Sequence, residues 1–211
     1  MRVLIFGDSI TQGFWDTEGG WVGRLRKHYD EIQLLDLSKE QPTIFNLGIS
    51  GDFTKSVVAR LESETKARLW PGEEIVYIFA VGLNDTIYRE DDFESTPKKY
   101  NEELGTILKI AKLYSQRILF VGMSPVVDER VQPPQWSSSG KCYSNERIMI
   151  FDKVLQDFCE RSSVAYVSLF EMMQREQATH DLMPDGAHPN NKGHKLIFQI
   201  VLPELEKLIN T

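Results

Sequence analysis

The sequence predicts an α/β protein built on a parallel sheet covered by helices. Three observations predict it. Five short apolar runs recur, at residues 3–6, 43–47, 75–81, 118–121 and 164–169. They are rich in Val, Ile and Phe and do not alternate with polar residues, which suits strands buried on both faces. Stretches with helical spacing separate them, and such alternation of strand and helix gives a layered fold with right-handed crossovers.

Taken in order, the first run follows Met1-Arg2 and stops at Gly7-Asp8-Ser9-Ile10-Thr11. The second ends in Gly48-Ile49-Ser50-Gly51, and the third, the longest apolar run, ends in Gly82-Leu83-Asn84-Asp85. Asp91-Asp92 reads as a solvated bend. Tyr100, Leu104, Ile107, Leu108, Ala111 and Tyr114 then share one helical face, and the fourth run follows. Residues 126–143, with Pro133-Pro134 and Ser137-Ser138-Ser139-Gly140, are the one irregular stretch. A lid, a binding loop or a solvated excursion all fit it. Ile148, Phe151, Leu155, Phe158 and Cys159 mark the next helix before the fifth run. Leu196, Ile197, Ile200, Val201, Leu205 and Leu208 mark a terminal helix, which Pro203 is expected to kink or break.

Composition bounds the function. At 211 residues the length prior gives about 1.4 domains, so a single domain over 1–211 is expected. A net charge of −7 argues against a nucleic-acid partner, which needs clustered Lys and Arg. The hydrophobic fraction is 41%, so with its glycines the chain can form a core without staples. Two cysteines make no disulfide scaffold. No apolar run approaches the roughly 20 residues of a membrane span, and Gly7-Asp8 interrupts any signal-peptide core. A soluble, cytoplasmic protein with no membrane partner is expected. Four His and two Cys show no metal-ligand spacing, and no phosphate-binding glycine loop follows a strand. No metal and no cofactor are expected.

In a parallel sheet the carboxyl ends of all strands lie on one edge, where ligands bind. That edge gathers Ser9, the Gly48 turn and Asn84. A serine hydroxyl becomes a nucleophile only when a base takes its proton and a third group orients the base. Asp185 and His188 stand three apart in a loop broken by Gly186 and extended by Pro189. An Asp-x-x-His loop lets the carboxylate hold Nδ1–H and leaves Nε2 facing Ser9. The Ser9 and Gly48 N–H groups and the Asn84 amide are candidate oxyanion donors. Asp8, Ser50, Asp85 and Trp136 are further site candidates, with Asp8 and Asp85 read as organisers of their loops rather than acids.

At these residues the chain resembles the GDSL/SGNH hydrolase family. The matching pieces are Gly7-Asp8-Ser9-Ile10, Asn46-Leu47-Gly48, Gly82-Leu83-Asn84-Asp85 and Asp185-Gly186-Ala187-His188-Pro189-Asn190, in the family's order. A chance Gly-Asp-Ser in this length is expected only roughly 0.05 times. The resemblance implies a flavodoxin-like three-layer α/β/α sandwich with five parallel strands in order 2-1-3-4-5. It implies Ser9 as nucleophile, His188 as base, Asp185 as its partner, and Gly48 and Asn84 as oxyanion donors. The implied activity is hydrolysis of a small acyl ester, an acylated sugar among the candidates, through an acyl-enzyme. A thioester or lysophospholipid substrate, or a non-catalytic flavodoxin-like binding module, are the alternatives.

Other residues have plainer readings. Asp181 and His180 lack the constrained loop. His28 and His194 are expected at the surface or rim of amphipathic helices. Cys159 reads as core, and Cys142 has no adjacent base. Trp15, Trp21, Trp136, Phe53 and Tyr88 are candidates to stack on a sugar or bound an acyl chain, with core packing favoured for Trp21.

Overall fold

The computed structural model describes residues 1–90 and 92–210. Its sheet comprises β1 (Arg2–Gly7), β2 (Thr43–Gly48), β3 (Ile75–Ala80), β4 (Ile118–Val121) and β5 (Ala165–Val167). Every neighbouring pair is parallel, and the spatial order is 2-1-3-4-5, as the resemblance implies. Val3, Leu4, Ile5 and Phe6 of central β1 have no exposed surface, which accounts for a run without polar alternation. Across the strands the Phe79 ring lies 5.6 Å from Phe6 and 5.2 Å from Phe120.

Among the described residues, seven α-helices flank the sheet: α1 (Ser9–Gln12), α2 (Gly20–Leu35), α3 (Thr54–Lys66), α4 (Pro97–Ala111), α5 (Asn145–Ser162), α6 (Phe170–Gln177) and α7 (Asn191–Ile209). Helices α2 and α7 pack together as one layer, and α3, α4 and α5 pack side by side as the other. The buried faces of α4 and α5 are those the spacing predicts. Each starts at a hydroxyl cap: Thr96 accepts from Lys99 N–H, Ser144 from Arg147 N–H, and Pro97 occupies the first turn of α4. None of the helices described is long and apolar enough to cross a membrane.

Several local expectations are corrected. Helix α7 runs unbroken through Pro203. The missing N–H frees the Gln199 carbonyl, and both residues are exposed, so the helix need not break there. The fifth run yields only a three-residue strand, because α6 begins at Phe170. Tyr88–Arg89 and Asp92–Phe93 form a small antiparallel ribbon that the sequence did not suggest. Asp91, half of the expected bend, lies outside the described residues.

Residues 126–143 fold back onto the loop that carries Asp185. Val127 N–H donates to Gly186 O at 2.8 Å, Arg130 to Met183 O at 2.8 Å, and Val131 and Tyr143 are buried. Buried Val131 and Tyr143 anchor the segment there, while residues 138–140 are exposed.

Candidate active site

Gly7 lies opposite Gly48 of β2 and Ala80 of β3, so the segments leaving these three strands emerge side by side. Asp8 caps the turn after β1 by accepting Ile10 N–H at 2.9 Å, which starts α1 with Ser9 as its first residue. The Ser9 hydroxyl then lies 2.8 Å from His188 Nε2, and His188 Nδ1 lies 2.6 Å from Asp185 Oδ2. The other Asp185 oxygen accepts the N–H groups of Ala187 and His188 at 2.9 and 2.8 Å, which folds the Asp-x-x-His loop around its own carboxylate. An ionised carboxylate only accepts, so Nδ1 carries the proton and the Nε2 lone pair faces the hydroxyl.

Burial opposes the Asp185 charge, but bonds from the His188 ring and backbone, Ala187 and Trp15 outweigh it and hold the carboxyl far below the usual range. Two indoles grip this residue: Trp15 Nε1–H donates to Oδ2 at 2.7 Å, and Trp136 Nε1–H donates to the main-chain oxygen at 3.0 Å. The His188 ring is ringed by Phe14, Trp15 and Trp136, with centroids 5.6, 6.3 and 5.4 Å away.

The oxyanion expectation for Gly48 is corrected. Ile49 N–H donates to Gly7 O, toward β1, so the preceding N–H points the other way, where Asn46 Oδ1 accepts it at 2.9 Å. Glycine is required there for close approach: a Cβ would meet Gln12 N at 2.3 Å and Thr11 C at 2.7 Å, driving α1 off β2. Three residues on, Gly51 is exposed with φ +82, and its N–H has no partner among the described residues. The Asn84 amide donates to Asp52 O at 2.9 Å, beside Gly51, while its Oδ1 accepts from the Tyr143 hydroxyl at 3.2 Å. That orientation leaves the second Asn84 N–H without a partner among the described residues, as is the Ser9 N–H.

Asp8 and Asp85 are buried, 3% and 1% exposed. Asp85 Oδ2 accepts the Thr54 N–H and hydroxyl at 3.0 and 2.9 Å, pinning the start of α3. Burial pushes the Asp85 carboxyl up to about 7 and that of Asp8 up to about 6, against the bonds each accepts. Ser50 is exposed on the rim, with its N–H on Gln12 Oε1.

His194 is also corrected. It has no exposed surface, accepts from Trp21 N–H at 3.3 Å through Nδ1, and donates to Phe14 O at 2.8 Å through Nε2. It thus ties α7 to α2 and to the segment carrying Phe14 and Trp15. A signal was present in the sequence, since His194 shares its helical stripe with Ile197, Val201 and Leu205. Phe14, Gly51 and Tyr143 carry no comparable signal.

Comparison with known proteins agrees with this architecture. Residues 5–196 match the model of the GDSL-like Lipase/Acylhydrolase family. The isoamyl acetate-hydrolyzing esterase 1 homolog of Homo sapiens is 24% identical, over the whole of this chain and 83% of that protein. A lipase/acylhydrolase from Enterococcus faecalis superposes with a TM-score of 0.73 at 23% identity, covering 98% of this chain and 95% of that one. Axe2, an acetylxylan esterase from Geobacillus stearothermophilus, gives 0.72 at 16% identity, covering 96% and 93%. The structural likenesses carry the fold.

Proposed function

The chain belongs to the GDSL-like lipase/acylhydrolase family and hydrolyses ester bonds, and from that premise we propose that Ser9, His188 and Asp185 cleave a short acyl ester through an acyl-enzyme. The observation that carries the reading is the continuous hydrogen-bonded line from the Ser9 hydroxyl through His188 to Asp185.

Ser9 Oγ attacks the ester carbonyl as His188 Nε2 takes its proton. Asp185, fixed by two backbone N–H groups and two indoles, stabilises the imidazolium and keeps the ring in the correct tautomer. The carbonyl oxygen becomes an oxyanion held by the N–H groups of Ser9 and Gly51 and the free amide hydrogen of Asn84, each worth about 3 kcal/mol in the transition state. His188 returns the proton to the leaving alkoxide, and water repeats the cycle on the acyl-enzyme.

A small acyl group is favoured by relatives named for isoamyl acetate and acetylxylan. The test is turnover of p-nitrophenyl esters from acetyl to octanoyl by the wild type and Ser9→Ala. Acetate is expected to be hydrolysed fastest, and the variant to lose about 10⁴-fold or more. Equal rates for the two proteins refute the assignment, and a flat profile across acyl lengths refutes the small pocket. Failure of a fluorophosphonate to label Ser9 would favour a binding module.

A further inference from the structure

One cation at the mouth of the site is not explained by the reaction so far. Lys141 lies near the end of the irregular segment and is partly buried, with its ammonium 4.6 Å from the centre of the Trp136 ring and 5.8 Å from that of Tyr143. Both rings belong to the site. Trp136 packs on His188 and bonds the Asp185 main chain, and the Tyr143 hydroxyl orients Asn84. Among the described residues no carboxylate or carbonyl accepts from Lys141. Its basic neighbour Arg89 differs, since it pairs with Glu94.

An ammonium taken partly out of water without an anion is costly, and two ring faces return only part of that cost. Burial and the nearby Arg89 charge both push the Lys141 amine down. A chain that needed only packing here could use an apolar side chain. The position also identifies which half of a substrate passes it. The leaving oxygen must reach His188 Nε2 to be protonated, so the alcohol half lies on the His188 side, and Trp136 contacts both the His188 ring and the Lys141 ammonium, at 5.4 and 4.6 Å from its ring centre.

We propose that Lys141 receives an anionic group, carboxylate or phosphate, on the alcohol half of the ester, so that the preferred substrate is a short acyl ester of an acidic alcohol. This rests on the Ser9 mechanism above and adds its substrate class. The ammonium supplies a point charge, held against the Trp136 and Tyr143 rings.

The experiment holds the acyl group constant. Wild type and Lys141→Met are assayed on 3-acetoxypropanamide, 3-acetoxypropanoate and 2-acetoxyethyl phosphate. The wild type is expected to favour at least one anionic ester over the neutral one by about tenfold in kcat/KM, between the worth of an exposed and a desolvated charge pair. The preference should shrink with added salt, and Lys141→Met should bring the ratio near one, with Lys141→Arg keeping part of it. The two anionic arms separate carboxylate from phosphate. A wild-type ratio of one or less, or a ratio that Lys141→Met leaves intact, overturns the proposal. So does an equal preference for an ester whose negative charge sits on the acyl side, such as ethyl hemisuccinate. Loss of all turnover in Ser9→Ala with the ratio absent in wild type sinks this inference alone; persistence of turnover in Ser9→Ala sinks the mechanism beneath it.

Discussion

Trp15 and His188 donate to the same oxygen of Asp185, at 2.7 and 2.6 Å. The two donors reach it from opposite ends of the chain, and the Trp15 backbone takes a left-handed conformation, φ 63, to do so. An indole at that oxygen fixes its direction as well as its charge. Trp15→Phe keeps an aromatic ring beside His188 but removes the indole N–H donor along with the pyrrole ring. The expected result is a kcat lower by about tenfold with KM little changed, because a charge-assisted bond of this kind contributes on the order of 1–2 kcal/mol. Trp15 is 57% exposed, so its thermal midpoint should move little. Steady-state kinetics on a short ester decide it, and an unchanged kcat removes Trp15 from the positioning set.

Asp185→Asn separates geometry from charge. The amide oxygen can still accept from Ala187 and His188 N–H, so the loop should hold its shape. The amide nitrogen then faces Nδ1 and forces the imidazole into the tautomer whose Nε2 carries the proton. The expected fall in kcat is about 10⁴-fold, with an unfolding midpoint close to wild type and slow fluorophosphonate labelling. Retention of most activity would mean that His188 needs no carboxylate partner.

Gly48, at the end of β2, and Gly51, in the turn after it, should respond differently to alanine. Gly48→Ala drives a methyl into the α1 backbone and is expected to lower stability by several kcal/mol, taking Ser9 out of line. Gly51→Ala meets nothing within 4 Å and costs about 1 kcal/mol for its positive φ. Thermal unfolding distinguishes them. Comparable melting losses would contradict the packing role assigned to Gly48.

Stability should fall as pH rises from about 4 to 7. Asp85 and Asp8, raised by burial from 3.8 to about 7 and about 6, favour the fold while protonated. Their contribution is complete below 3.8 and lost as pH passes through those folded-state values. Asp185 acts with the opposite sign and only in stronger acid, since its carboxyl is held low. In Asp85→Asn the amide oxygen still accepts from Thr54. That variant should show a flatter pH dependence and, at pH 8, a gain of up to a few kcal/mol. Urea midpoints measured across pH 4–8 give the answer, and a profile parallel to wild type would show that Asp85 does not titrate as stated.

The strand positions were legible because doubly buried strands leave uninterrupted Val, Ile and Phe runs and the helical stripes of α4 and α5 are intact; the strand order came only from the resemblance to the GDSL/SGNH family. The pairing of Ser9 with the Asp185 loop was legible because a hydroxyl at a strand end and an Asp-x-x-His loop have few other uses. What escaped was set by backbone direction. Alternation along β2 decides that the Gly48 N–H points outward, and a sequence does not display that. His194 was misread because a polar residue on an amphipathic helix was assigned to the polar face, although its spacing placed it with Ile197 and Val201. Trp15 was legible as an aromatic near the site but not as a donor, since a long-range indole bond leaves no local trace.

The hydroxyl and the imidazole that meet at 2.8 Å are 179 positions apart in the chain. Under the proposed mechanism, a polypeptide that ends before His188 carries Ser9 without its base. On that reading, ester turnover would require the loop carrying Asp185 and His188 to be in place beside the sheet as well as Ser9.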